Sequence, residues 1–232
     1  MSAEKCRILE LRGSGGEIFP KENRAEVHSL QAKDGESLKD AAADAAAKLS
    51  PCAVIARGQD TGSAAAAALN ADIEASEDAA YFAFVREGTG WVCGAGTSAA
   101  QALRGALERS GVRVRGGGGV LFTVSDAHKP SLYPVADAFR RLGFEIFATG
   151  GTARVLKERG VLTISVKKLS EGSDQIVKLL QAGRLSYVFN TPTSGNSTLR
   201  DGHMIRTTAA ENGLPCFTDI TQAQLLLLAL GG

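Results

Sequence analysis

The sequence predicts an α/β chain in two parts. A doubly wound, parallel five-stranded sheet is expected over residues 117–232, preceded over residues 1–116 by a smaller α/β or α+β domain. Three observations carry this. Short apolar runs recur from residue 120 onward, and helical stretches alternate with them at lengths that fit strand–helix–strand crossovers. Just before this pattern begins stand four consecutive glycines, Gly116 to Gly119. Neither a helix nor a strand interior favours such a run, so the domain boundary is placed there.

In the first part, "ESLKDAAADAAAKLS" reads as an alanine-rich helix, "CAVIA" as a short buried strand and "GSAAAAALN" as a second helix. "AAYFAFVREGTGWVCGAG" reads as two strands around a Glu-Gly-Thr-Gly turn, and "SAAQALRGALERS" as an amphipathic helix. Trp91 beside the turn is a packing residue on this reading, since one aromatic makes no binding platform. No constellation in this part points to a function.

In the second part the strands are "VLFTV" (120–124), "FEIFAT" (144–149), "LTISV" (162–166), "LSYVFN" (185–190) and "PCFTD" (215–219). Between them, "SLYPVADAFRRLG" places Leu132, Val135, Phe139 and Leu142 on one face, with Pro134 expected in the first turn. "SDQIVKLLQAG" opens on Ser173 as a cap and stops at Gly183, and "DGHMIRTTAAENG" opens on Asp201 and stops at Gly213. Right-handed crossovers then give a doubly wound sheet, whose ligands bind beyond the C-terminal ends of the strands.

Composition narrows the function. The chain carries 26 basic and 25 acidic residues among 232, with 44% hydrophobic residues. Residues 117–232 hold 12 of the basic and 9 of the acidic side chains, leaving 14 and 16 for the first part. No basic excess exists that would suit nucleic acid or a membrane surface, so neither is an expected partner. Cys6, Cys52, Cys93 and Cys216 are scattered without a CxxC pair, and the three histidines (His28, His128, His203) do not cluster. They read as buried reduced thiols, and neither a metal site nor a cofactor is expected. The start "MSAEKCRILELRG" lacks an apolar signal core, and "LLLLAL" is far shorter than the ~20 residues that span a bilayer; a cytoplasmic location is expected.

The chemistry gathers at the strand ends. After the first strand of the second part comes "SDAHK", with Asp126 and Lys129; after the second, Thr149-Gly150-Gly151-Thr152. After the third comes "KKLSEGSD", with Lys167, Lys168 and Asp174, and after the fourth "NTPTSG", with Asn190, Thr191, Thr193 and Ser194. Each piece has a mundane reading as a solvated lysine or a tight turn. Together they bring cations, hydroxyls and free N–H groups to one sheet edge, the inventory a phosphate requires.

These stretches also carry a resemblance. "VLFTVSDAHKPSLYPVADAFRRLGFEIFATGGTARVLKERGV", "VKKLSEG", "VFNTPTSG" and "RDGHMIRTTAAENGLPCFTDITQA" resemble the methylglyoxal-synthase-like domain. More narrowly, they are similar to the C-terminal allosteric domain of the carbamoyl-phosphate synthase large subunit. The similarity runs from about Gly119 to Leu230, in order and at matching spacing. It implies a regulatory domain that binds a nucleotide such as UMP or IMP, its phosphate held at Lys129, Thr149, Thr152, Lys168, Asn190, Thr191 and Thr193. Earlier, "GWVCGAGTSAAQALRGALERSG" looks faintly like the turn and helix that precede this domain in the synthase. No ATP-grasp module is legible before it, so the chain reads as a fragment, a split subunit or a free-standing regulator. The partners implied are the effector and catalytic synthase chains, or further copies of the chain.

Two other readings stand beside this one. Methylglyoxal synthase uses a similar phosphate pocket for dihydroxyacetone phosphate and relies on aspartates, here Asp126, Asp174 and Asp201. Against it, Ser125 stands where that enzyme has histidine, "FNTPTSG" replaces its acidic loop, and its histidine before Asp201 is missing while His203 follows. Alternatively the pocket has decayed and the domain serves assembly, which the intact Lys129, Thr149, Thr152 and Lys168 argue against. Regulation without intrinsic catalysis is the expectation.

Overall fold

A computed structural model describes residues 7–12, 18, 26–31, 37–49, 51–73, 78–192 and 196–231, with 196–199 as backbone only. It forms two compact units: Glu4–Val114 with Gln224–Gly231, and Arg115–Ala223.

The first unit runs β1 (Arg7–Leu11), β2 (Glu26–Leu30), α1 (Leu38–Leu49), β3 (Ala53–Arg57), α2 (Gln59–Leu69), β4 (Tyr81–Glu87), β5 (Gly90–Gly96) and α3 (Ala99–Arg109). Its described strands form a mixed sheet in the order β2-β1-β3-β4-β5, with β1, β2 and β3 parallel and the last two pairings antiparallel. Leu9, Leu11, Val54, Phe82 and Phe84 build a core against the alanine-rich α1 and α2, and Trp91 packs at its margin. Neither β1 nor β2 is visible in the sequence pattern, because "RILEL" carries Glu10 inside the strand and "EVHSL" sets Glu26, His28 and Ser29 among only two apolar residues. Glu10 is nonetheless fully buried, with Oε2 accepting from Arg12 Nη2 at 3.0 Å and from Ser29 Oγ at 3.3 Å. A buried carboxylate is tolerated when paired in this way.

The second unit continues with β6 (Gly119–Thr123), α4 (Lys129–Arg141), β7 (Glu145–Thr149), α5 (Gly150–Glu158), β8 (Ile164–Val166), α6 (Gln175–Gln181), β9 (Leu185–Asn190), α7 (Asn196–Glu211) and β10 (Cys216–Phe217); α8 (Gln222–Ala229) follows. Five described strands make one all-parallel sheet in the order β10-β9-β6-β7-β8. On one face α6 and α7 cover Leu121, Phe147, Leu185 and Val188. On the other, Phe139 of α4 meets Phe122, Tyr187 and Phe189 with ring centroids 5.9–6.2 Å apart. The first two crossover helices, α4 and α5, thus pack on one face and the last two, α6 and α7, on the other, and the connections diverge between β6 and β9. A crevice opens beyond the strand ends at such a divergence.

Several local expectations change. Gly119 is not outside a strand but opens β6, where an added Cβ would fall 2.7 Å from Phe147 Cε2; close approach is the reason for glycine there. Helix α4 starts at Lys129, so Pro134 lies inside it rather than in its first turn. The ring removes the N–H that would bond the carbonyl of Pro130, and Arg159 Nη1 approaches that carbonyl at 3.5 Å instead. Asp201 is not a cap, because α7 already begins at Asn196. Asp174 rather than Ser173 holds the N-cap position of α6, although Ser173 Oγ accepts from the N–H of Gln175 at 3.3 Å.

Candidate functional site: a cationic cavity at the strand ends

Beyond Thr123 the chain passes Ser125 into a short 3-10 turn, Asp126–His128, and then into α4. The turn is tied to the next loop, since the N–H of Ser125 donates to Thr191 Oγ1 at 2.8 Å. Ser125 Oγ and His128 Nδ1 lie 2.7 Å apart. Lys129, the first residue of α4, has its side chain 19% exposed, and its ammonium donates to Asp126, whose side chain is 94% exposed.

At the end of β7, Thr149 is extended (φ −67°, ψ 152°), and α5 starts on the next residue. The N–H groups of Gly150, Gly151 and Thr152 are in the first helical turn, where no preceding carbonyl can reach them. A Cβ on Gly151 would sit 3.1 Å from Lys129 Nζ, so the glycine is what lets the ammonium close on the helix N-terminus. Thr152 is 1% exposed, and its Oγ1 is the one buried side-chain oxygen or nitrogen among the described residues that lacks a hydrogen-bond partner. An unpaired buried hydroxyl costs about 1–3 kcal/mol.

Lys168 follows β8 and has no ion-pair partner among the described residues. Its loop is fastened to α7 by the N–H of Ser170, which donates to Asp201 Oδ2 at 3.0 Å. At the end of β9, Asn190 and Thr191 are each 3% exposed. Arg206 Nη1 donates to Asn190 Oδ1 at 2.7 Å. Because a guanidinium can only donate, it fixes the amide orientation and leaves Nδ2 of Asn190 as a donor. Gly202 makes the space for this pair, since a Cβ there would meet Arg206 Nη1 at 3.1 Å and Asn190 Oδ1 at 3.3 Å.

Together these elements enclose a cavity of about 530 Å³. Of the residues singled out in the sequence, Lys129, Thr149, Gly151, Thr152, Lys168, Asn190 and Thr191 line it, as do Asp126 and Asp201. Gly150 lies next to the lining without joining it, and Thr193 and Ser194 fall outside the described residues. Asp174 is elsewhere: its side chain is 67% exposed and pairs with Lys178 at 2.8 Å. Sequence reasoning missed Arg206, Gly202, Ser125 and His128. The helical spacing of Gly202, Ile205 and Arg206 places them on one face of α7, a signal that becomes useful only once that helix is known to border the cavity.

Electrostatics favour an anion. Lys129, Lys168 and Arg206 face the cavity against Asp126 and Asp201. The hydrogen bond from Lys129, then the charges of Lys129 and Lys168, hold the Asp126 carboxyl below its ordinary value of 3.8. Asp174 is likewise held low, chiefly by its hydrogen bond from Lys178. Cys93 and Cys216 are free thiols pushed up to about 11 by burial, which keeps them protonated at neutral pH. Among the described residues no three His, Cys, Asp or Glu side chains come together to hold a metal ion, and no helix is long and apolar enough to cross a membrane.

Comparison with known proteins agrees with this architecture. The family model for the MGS-like domain matches residues 131–218. The carbamoyl phosphate synthase large chain, C-terminal section, of Methanopyrus kandleri is 40% identical over 113 residues, covering 49% of this chain. The chain spans 21% of that relative's length. Residues 131–218, within the second unit, therefore match the MGS-like domain, and about half of the chain is similar to part of a synthase large chain.

Proposed function

We propose that the second unit is an effector-binding regulatory domain that acts with the catalytic chains of a carbamoyl-phosphate synthase. Its effector is a phosphorylated small molecule, most simply a nucleoside monophosphate such as UMP or IMP. The observation that carries this is the orphaned hydroxyl of Thr152, buried at the N-terminus of α5 beside the ammonium of Lys129. A phosphate oxygen accepts from that hydroxyl and from the first-turn amides, while Lys129 and Lys168 balance its charge. Thr149, Thr191 and Nδ2 of Asn190 supply neutral donors around it. A cavity of about 530 Å³ exceeds the needs of phosphate alone and suits a nucleoside attached to it.

The regulatory sense of the reading is supported by the similarity to a synthase large chain and by the course of β9. That strand ends at Asn190 in the cavity wall. Three residues earlier, the phenol of Tyr187 accepts from the N–H of Arg115 at 2.5 Å and donates to its carbonyl at 2.8 Å. A displacement of β9 on binding is thereby passed to the segment that leads into the unit. Calorimetric titration of the protein with UMP, IMP and inorganic phosphate tests the proposal. A nucleotide that binds more tightly than phosphate is expected, and the absence of binding by all three would refute it.

A further inference from the structure

Lys129 is already engaged. Its ammonium is mostly shielded by Gly151 and the start of α5, and its one ion-pair partner among the described residues is Asp126. Asp126 is the reverse case. Its side chain stands 94% exposed at the head of the 3-10 turn, and the contact with Lys129 is what holds it at the cavity. A carboxylate on so exposed a tether can swing into water at little cost, while the Lys129 side chain, 19% exposed and closed in by Gly151, has little room to move. Resting on the phosphate reading above, we infer that Asp126 is the resident counter-anion of the site: its carboxylate occupies Lys129 until an incoming phosphomonoester displaces it.

The exchange is favourable in one direction only for a ligand of higher charge. Displacement by a phosphomonoester replaces one negative charge by nearly two, against Lys129, Lys168 and Arg206. A monoanion such as a carboxylic acid or a phosphodiester exchanges like for like and gains nothing at Lys129. Asp126 thus raises the threshold for occupancy and confines the site to dianionic phosphomonoesters. The depressed ionisation of Asp126, due first to Lys129 and then to the added charge of Lys168, fits a carboxylate that stays ionised and competitive at neutral pH. Asp201 is the internal contrast. It lines the same cavity, but its carboxylate is occupied by the backbone N–H of Ser170 rather than by a lysine.

The test is titration of the full chain with inorganic phosphate at low ionic strength, comparing wild type with Asp126→Asn and Asp201→Asn. Both substitutions remove one negative charge and retain an acceptor. Displacement predicts that Asp126→Asn tightens phosphate binding by roughly threefold to tenfold, while Asp201→Asn changes it by less than about twofold. Unchanged or weaker binding in Asp126→Asn overturns the inference while leaving the phosphate site intact. An equal gain in Asp201→Asn also overturns it, since a general field rather than competition for Lys129 would then be at work. No phosphate binding by wild type or either variant overturns the inference, while the phosphate reading itself falls only if UMP and IMP also fail to bind.

Discussion

Arg206 Nη1 donates to Asn190 Oδ1 over a distance of 2.7 Å, through a gap that exists because residue 202 is glycine. This pairing turns a helix-borne cation into a device that aims the Asn190 amide at the cavity. Gly202→Ala is therefore expected to separate stability from binding. Alanine is the better helix former by up to about 1 kcal/mol, and its methyl meets Arg206 Nη1 at 3.1 Å and Asn190 Oδ1 at 3.3 Å, side-chain ends that need give by only a few tenths of an ångström. The fold should persist while nucleotide or phosphate affinity falls. Arg206→Ala should do worse on both counts, costing about 1–2 kcal/mol of stability because a buried amide loses its partner, and roughly tenfold in affinity. Chemical denaturation and calorimetry on the same preparations check both signs.

Thr152→Val is expected to move stability and binding in opposite directions. The substitution keeps the shape and deletes a buried hydroxyl that has no partner in the unliganded protein. Thermal stability should rise, by about 1 kcal/mol, while phosphate affinity drops about tenfold. If Thr152→Val instead destabilises the unliganded protein, the hydroxyl has a structural role that the geometry does not reveal.

The β-strands of the second unit are legible because parallel strands are buried on both faces and read as unbroken apolar runs. Most of the cavity-lining residues are legible for a related reason: they sit within a few residues of those runs, so finding the strands finds the loops. Arg206 escapes because its meaning depends on the packing of α7 against Asn190, sixteen positions away in sequence. Asp174 misleads by proximity. It follows the glycine-containing loop after β8, but its carboxylate turns back along α6 to Lys178. In the first unit, β1 is hidden by Glu10, whose charge suggests exposure until Arg12 and Ser29 are seen around it.

Acid stability should depend on Asp137. Its carboxylate accepts from Arg140 at 2.9 and 3.1 Å and from Arg141, and the Arg140 hydrogen bond is the main cause holding it below the ordinary value of 3.8. A carboxyl depressed in the folded state takes up its proton more readily when unfolded. Its stabilising contribution is therefore complete above 3.8 and is lost as pH falls through the folded value. Asp137→Asn should be less stable than wild type at about pH 6, with the difference closing toward about pH 2. Urea denaturation across that range is the measurement, and a difference that widens in acid would contradict the assignment.

Catalysis on dihydroxyacetone phosphate is expected to be absent. The proton beside the carbonyl needs a base within hydrogen-bond reach, with an ionisation poised near the working pH. Asp126 is held low by Lys129, and Asp174 lies outside the cavity lining and is held low by Lys178. A colorimetric assay for methylglyoxal should show no turnover by wild type or Asp174→Asn, although the compound binds weakly through its phosphate. Turnover lost in Asp126→Asn or Asp201→Asn would restore the lyase reading.

The location of the anion is the most direct test. Backbone amide NMR of the isotopically labelled protein, titrated with UMP, reports each N–H separately. The account predicts saturable shifts largest at Gly150, Gly151 and Thr152, with smaller ones at Lys129, Lys168 and Asn190. Lys168→Ala should weaken the apparent affinity by roughly tenfold to a hundredfold, through loss of a charge-assisted contact. No saturable shift at the start of α5, or shifts confined to the first unit, would contradict it.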